Sequence, residues 1–258
     1  MLLEGKTAVV TGIGPGLGRE VALGLAREGA DVALVARTGA VMDEVAAAIE
    51  ALGRRAVPVQ GDITSADDCA RVAESVQRDL GGASILVNSA FSDGNKKTFE
   101  DSDLDEWRHT MDVNFWGTLT MTKAMLPQLT SHDDSRLIMV NTQSTLWIKP
   151  RAGAYASSKG ALATVTRTLA RELGGKGVRV NGVHPGYIFS PTVEAYLQAI
   201  ADRDGTSYQE VYDHIAAETC LGYLPPAAEV AGTIVYLASP LAACVTGQAI
   251  AVNGGHWI

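Results

Sequence analysis

Tyr155 and Lys159 stand four residues apart in "Tyr155-Ala-Ser-Ser-Lys159", a spacing that sets a phenol and an ammonium on one face of a helix. A free tyrosine, with a pKa of about 10, is a poor base at neutral pH. A neighbouring cation favours the phenolate and lowers that value, so the pair predicts a general acid–base able to pass a carbinol proton. The spacing arises by chance in many chains. Its weight comes from its place, after the fifth strand of a sheet that opens on a glycine-rich turn.

That turn is "Thr11-Gly12-Ile13-Gly14-Pro15-Gly16-Leu17-Gly18", directly after the apolar run Ala8-Val9-Val10. G-x-G-x-x-G does not fit it; T-G-x-x-x-G-x-G does. A glycine turn leaving a strand and entering a helix sets backbone N–H groups and the helix N-terminus against a pyrophosphate. Gly12 and Gly16 are expected to allow close approach of the backbone, Gly18 to let the helix pack on the strand, and Pro15 is tolerated within the loop. The other reading is a tight turn that binds nothing, but four glycines carry an entropic cost such a turn does not need. The end of the second strand reads cofactor identity, because an acidic residue there accepts from a ribose 2′-hydroxyl and repels a 2′-phosphate. Here Ala36 is followed by Arg37 and Thr38. A cation beside a hydroxyl suits a phosphate, which predicts a preference for NADP(H), with NAD(H) possible; the bland alternative is a solvated surface arginine. Asp62 and Ile63, after the third strand, are placed to contact the adenine.

Positioning these groups takes alternating strands and helices. Strand-like runs cover Lys6–Thr11, Asp31–Ala36, Ala56–Gln60, Ile85–Asn88, Leu137–Asn141, Val178–Val183 and Ala249–Val252. Between them lie helical patterns: Leu17, Val21 and Leu25; Val41, Val45, Ile49 and Leu52; Val72, Val76 and Leu80; and a long stretch from about Ala156 to Leu173. Near-continuously apolar strands separated by amphipathic helices predict an α/β fold, a doubly wound seven-stranded parallel sheet of Rossmann type in three α-β-α layers. The whole chain, 1–258, reads as one dinucleotide-binding domain. Residues 186–226 break the rhythm, with helix-like pieces at Val193–Ala201 and Tyr208–Ala217, and read as a substrate-binding lid. The apolar tone of 187–224 leans towards a lipophilic or acyl substrate.

Composition narrows the partners. A net charge of −8 gives no case for nucleic acid or an anionic membrane surface. Cys69, Cys220 and Cys244 are odd in number and lack C-x-x-C spacing, so neither a disulfide framework nor a zinc site is expected. No run nears the roughly 18 apolar residues of a membrane span, and the first residues do not form a signal peptide. The expectation is a cytoplasmic protein without metal, acting on a small carbonyl or alcohol. His109, His132 and His214 read as surface residues. Trp147, Tyr187, Tyr196 and Tyr223 line an apolar pocket or fill the core.

Taken together, the motifs resemble the short-chain dehydrogenase/reductase family in its compact single-domain branch, nearly end to end. Thr11–Gly18 is similar to its glycine motif, and "Asn88-Ser89-Ala90-Phe91" to its Asn-Asn-Ala-Gly segment. Asn114 falls at its helix asparagine, "Val140-Asn-Thr-Gln-Ser144" in its serine region, and Tyr155–Lys159 on its Y-x-x-x-K. "His184-Pro-Gly-Tyr-Ile-Phe-Ser190" is similar to its Pro-Gly segment and "Val252-Asn-Gly-Gly255" to its last strand. The resemblance implies that Ser144 hydrogen-bonds the substrate oxygen, with Thr142 as the alternative hydroxyl, while Tyr155 passes the proton. Lys159 would tune the phenol and hold the nicotinamide ribose, and Asn114 would anchor a relay water. Gly12, Gly14, Pro15, Gly16, Leu17, Gly18, Arg37, Thr38, Asp62, Ile63, Asn88, Ala90, Pro185, Gly186, Ile188 and Ser190 would hold the cofactor. A homotetramer is also implied, and the apolar end Gly254–Ile258 suits an interface. Three departures stand out: Phe91 replaces a glycine, Ser144 precedes Tyr155 by only eleven residues, and Pro15 replaces a basic residue common in NADP-preferring members. An NAD(H)-dependent dehydrogenase of the same family, or a silent dinucleotide sensor, are the competing readings; a sugar-nucleotide epimerase would need a different glycine motif and a larger C-terminal region.

Overall fold

A computed structural model describes residues 1–256; Trp257 and Ile258, the apolar end expected to suit an interface, lie outside the described residues. Seven parallel strands form one sheet: β1 (Thr7–Thr11), β2 (Asp31–Ala36), β3 (Ala56–Gln60), β4 (Ile85–Asn88), β5 (Ser135–Val140), β6 (Val178–Pro185) and β7 (Ala249–Val252). Their order is β3-β2-β1-β4-β5-β6-β7, so the chain changes direction across the sheet between β1 and β4. A crevice at such a reversal, beyond the carboxyl ends of the strands, is where ligands sit in open α/β sheets.

The alternation of side chains along each strand explains the two cores. From β1, Ala8 and Val10 face one layer and Val9 the other. The first layer is covered by α1 (Leu17–Arg27), α2 (Ala40–Ala51) and, late in the chain, α9 (Ala227–Ala238). The second is covered by α3 (Ala66–Leu80), α5 (Thr118–Leu129) and α6 (Gly153–Leu173). Each fully buried Val or Leu here contributes about 1.5–3 kcal/mol. Local signals set the ends: Ser65 caps α3 by accepting from Asp68 N, and Gly81 closes it in the left-handed conformation at φ 81°. Asp103 caps α4 (Leu104–Met111), the acidic helix start expected from the sequence.

Two differences from the sequence reading matter for the site. The long helix starts at Gly153, three residues early, where a Cβ would come within 2.7 Å of the Trp107 ring. Between α4 and α5 the backbone widens into a π-helical turn, Asp112–Gly117, that no periodicity foretold. Such turns recur where a helix is bent around function. The segment 186–226 carries α7 (Pro191–Asp204) and α8 (Tyr208–Ala216). Its apolar residues Leu197, Ala201, Val211, Ile215 and Leu224 form a separate small core, joined by Phe189 and Tyr212. They pack on one another, while Leu221 of the same segment stays exposed.

Candidate active site

The glycine turn meets β4 at close quarters. Gly12 has φ +76°, and a Cβ on it would stand 2.5 Å from both Ala90 Cα and Ala90 N. Thr11 Oγ1 accepts from Ser89 N at 3.1 Å and Ala90 N at 3.3 Å, which locks the two loops together. Gly18 lies against the carbonyl of Gly12. The close approach expected at Gly12 is thus made to the protein's own backbone. Gly14 has nothing within 4 Å of an added Cβ and Gly16 only Ser190 Cβ at 3.9 Å, so the turn opens onto free space there. No side chain caps the start of α1, and its first N–H groups are left for an outside acceptor. Open glycines beside an uncapped helix start fit a dinucleotide pyrophosphate.

At the end of β2, Arg37 and Thr38 are exposed. Arg37 and Asp62 lie on one cleft of about 260 Å³, with Thr64, His109, Asp112 and Trp116. Asp62 Oδ1 accepts from Thr64 N (2.9 Å) and Thr64 Oγ1 (2.8 Å). The Thr64 backbone bond, opposed by partial burial and helped by the Arg37 charge, holds this carboxyl below the usual range. Ile63 is buried against Gly117. Asn88 is buried too, its Nδ2 donating to Thr122 Oγ1 at 3.0 Å, so its side chain braces the sheet and only its backbone borders the crevice.

The chemistry-bearing groups converge beyond β4, β5 and β6. Lys159 is 1 % exposed, and its Nζ donates to Val140 O at 2.7 Å. Burial alone pushes this ammonium down to about 7. The Tyr155 phenol moves the other way, up to about 12, because burial outweighs a hydrogen bond from Thr142, and the Asp93 carboxylate adds to the rise. The lowering of the phenol expected from Lys159 is therefore not the dominant effect here: desolvation wins at both groups. Phe91 stands edge-on to the Tyr155 ring at 6.4 Å and stays 58 % exposed, so it borders the mouth of the crevice.

Thr142 is the hydroxyl that acts on the Tyr155 phenol, and Ser144 lies beside it. Thr142 Oγ1 accepts from Ser144 N at 3.2 Å and donates to Ser144 Oγ at 3.3 Å. Thirteen residues separate Thr142 from Tyr155 in the sequence, against eleven for Ser144. Asn114, fully buried in the π-helical turn, uses its amide to hold Ser92 N and O and to reach Ser158 Oγ at 2.9 Å. Ser158 Oγ in turn donates to Tyr155 O at 2.8 Å, so Asn114 ties the β4 loop to the helix carrying the phenol.

Pro185 ends β6, and Gly186 and Ile188 follow half-buried. Ser190 caps α7 by accepting from Val193 N. Tyr187 stacks on Tyr196 at 6.3 Å and on His256 at 6.0 Å. Lys149 Nζ lies 5.3 Å from the Tyr187 ring centre, and Lys96 Nζ 5.5 Å from that of Tyr196. Gln143, Asn253 and His256 join this wall and were not singled out from sequence, where an isolated Gln or His carries no spacing signal. Among the described residues no group of three or more His, Cys, Asp or Glu could hold a metal, and no helix is long and apolar enough to cross a membrane.

Comparison with known proteins agrees with this geometry. A family model described as "Enoyl-(Acyl carrier protein) reductase" matches residues 12–256. The chain belongs to the short-chain dehydrogenase/reductase family, oxidoreductases that act on CH–OH and C=O groups with NAD(P). It is 34% identical over 268 residues to an L-rhamnose 1-dehydrogenase (NAD(P)(+)) of a Sphingomonas species, spanning 100% of this chain and 98% of that one. It is 32% identical over 260 residues to the 3-oxoacyl-[acyl-carrier-protein] reductase of Pseudomonas aeruginosa, covering all of both chains. Among solved structures, L-sorbose reductase from Gluconobacter frateurii, complexed with NADPH and L-sorbose, superposes with a TM-score of 0.93 at 28% identity, covering 99% of this chain and 98% of that one.

Proposed function

We propose that the protein is an NADP(H)-preferring oxidoreductase that interconverts a secondary alcohol and a ketone, with Tyr155 as the general acid–base. The observation that carries this reading is buried Lys159, held at Val140 O beyond β5 and one helical turn onward from Tyr155 on α6. The nicotinamide supplies or accepts the hydride. Thr142 orients the substrate oxygen towards the phenol, and Tyr155 gives that oxygen a proton in reduction or takes it in oxidation. Ser144 supports Thr142. Lys159, whose Nζ donates to Val140 O, would hold the cofactor ribose and return protons to the phenol, with Asn114 keeping the β4 loop in place. Gly14, Pro15, Gly16 and Leu17 would hold the pyrophosphate, Arg37 and Thr38 the 2′-phosphate, Asp62 and Ile63 the adenine, and Asn88, Ala90, Pro185, Gly186, Ile188 and Ser190 the nicotinamide half. Residues 186–226 act as a lid within a single domain, and the exposed edge of β7 at Ala249 and Ala251 suits self-association into a homo-oligomer.

The rim of phenols and ammonium groups favours a small hydroxylated carbonyl compound, such as a ketose, over a long acyl chain; the L-rhamnose and L-sorbose enzymes support this choice. Titrating NADPH and NADH by nicotinamide fluorescence tests the cofactor: NADH binding at least as tightly ends the preference for NADP(H). NADPH consumption across ketoses, oxoacyl thioesters and steroids tests the substrate class. Turnover confined to the thioesters overturns it, and tight NADPH binding without any turnover supports the silent sensor instead. Tyr155→Phe is expected to lower turnover by about 10²–10⁴-fold with cofactor affinity little changed.

A further inference from the structure

Four polar side chains behind the Thr142 turn form a hydrogen-bond chain whose direction can be deduced atom by atom. Gly255 N donates to Asn253 Oδ1 at 3.1 Å, which fixes that atom as the oxygen. The other arm of the amide, Nδ2, donates to His256 O at 2.7 Å and to Gln143 Oε1 at 3.3 Å. With Oε1 so occupied, the Gln143 atom facing His256 Nδ1 at 3.4 Å is its Nε2. An amide NH₂ only donates. Nδ1 must therefore be bare, and the ring proton sits on Nε2, 2.8 Å from Glu218 Oε2. The order is Asn253 to Gln143 to His256 to Glu218, each link donating to the next.

Three of its members are enclosed, Gln143 at 6% exposed, Asn253 at 7% and His256 at 1%, while Glu218 is exposed. Gly186 leaves room for the chain, since a Cβ there would stand 2.7 Å from Gln143 Oε1 and 2.8 Å from Asn253 Cβ. One end grips the turn that bears Thr142, whose own carbonyl is held from the other side by His184 Nδ1 at 2.8 Å. The far end, Glu218, follows α8 in the 186–226 segment, and Tyr187 of the same segment stacks on the His256 ring. Lys149 from the β5 loop and His214 from α8, 3.9 Å from Glu218, are the other charged or titratable groups facing this pair.

We infer that Gln143 and His256 are positioning residues, which hold the Thr142 hydroxyl at Tyr155 and couple it to the 186–226 segment. This rests on the role given to Thr142 above. A bare Nδ1 is the acceptor that the Gln143 amide needs. In Gln143→Glu the demand reverses: a carboxylate only accepts, so Nδ1 must carry an N–H to meet it, while Nε2–H still faces Glu218.

Long-range ¹⁵N–¹H NMR on ¹⁵N-histidine protein, with His256→Phe to assign the signal, tests the chain without turnover. The expected result is the Nε2–H tautomer in the wild type and imidazolium in Gln143→Glu at the same neutral pH. An Nδ1–H tautomer in the wild type, or no change in the variant, overturns the inference. Turnover with NADPH and 2,3-butanedione as the carbonyl probe tests positioning. Gln143→Leu, which can neither accept from Asn253 nor donate to His256, should lose at least tenfold in kcat, and an unchanged kcat refutes the coupling. His256→Phe keeps the ring stack and should lose at least tenfold in kcat with NADPH affinity unchanged. Thr142→Ala, run alongside, separates the two readings: a fully active Thr142→Ala sinks the role of Thr142, whereas an inactive one beside a fully active, folded His256→Phe sinks the chain alone. If His256→Phe does not fold, the tautomer and the kcat of Gln143→Leu decide.

Discussion

Thr142 and Ser144 are two hydroxyls two residues apart, and only geometry separates their roles. Removing a hydrogen bond to a charged or developing-charge group costs about 1.5–3 kcal/mol, roughly 10–100-fold in rate. Thr142→Ala should show that loss in kcat, Thr142→Ser should largely restore it, and Ser144→Ala should stay within a few-fold; equal losses at both positions would contradict the assignment. Lys159 carries a prediction on stability. Its ammonium is depressed to about 7 by burial, against about 10.4 for the unfolded chain. Below that window both states hold the proton and the fold bears the full cost of the buried charge; within it only the unfolded chain holds the proton, so stability rises with pH. Thermal unfolding from pH 6.5 to 9.5 should show wild type gaining on Lys159→Met; parallel curves would remove the buried-charge account. At this scale Tyr155 and Lys159 were legible because their spacing is helical. Thr142 was legible only as an alternative, since two hydroxyls in one turn look alike until one is seen to touch the phenol. Gln143 and His256 were illegible, because partners 113 positions apart leave no local mark.

The elements that carry these groups follow apolar periodicity closely, which is why all seven strands were readable, β5 starting only two residues before the expected Leu137. The π-helical turn at Asp112–Gly117 was not readable, because its cause is tertiary: Asn114 bonds to Ser92 and Ser158, and Gly117 lies on Ile63. The glycine turn shows how one motif holds residues with different duties. Gly12→Ala would place a Cβ against Ala90 in a left-handed backbone, at a cost of about 1–3 kcal/mol or more. Gly14→Ala meets nothing within 4 Å, so its stability should remain within about 0.5 kcal/mol of wild type while NADPH affinity falls. Calorimetric unfolding beside a fluorescence titration separates the two, and an unstable Gly14→Ala would show that the open space is misjudged.

For the molecule as a whole, the small core of α7 and α8 is distinct from the two cores of the sheet, and local opening follows contact density. Amides of residues 191–216 should exchange with deuterium well before those of β1, β4, β5 and β6, and slow when NADPH and a carbonyl substrate are added; exchange as slow as in the central strands would argue against a moving lid. The break in rhythm at 186–226 was visible in sequence. What its apolar residues do was not, since composition cannot distinguish a pocket wall from a satellite core. The glycine turn and the Arg37, Asp62, Ala90, Thr142 and Gly186 segments all follow the carboxyl ends of the strands. The opposite rim includes the connection at Gly53, whose missing side chain faces nothing within 4 Å, and the exposed stretch Ser131–Asp134. A surface attachment made at Gly53 would therefore leave the working end pointing outward, a built-in orientation for immobilising the catalyst on a bead or an electrode.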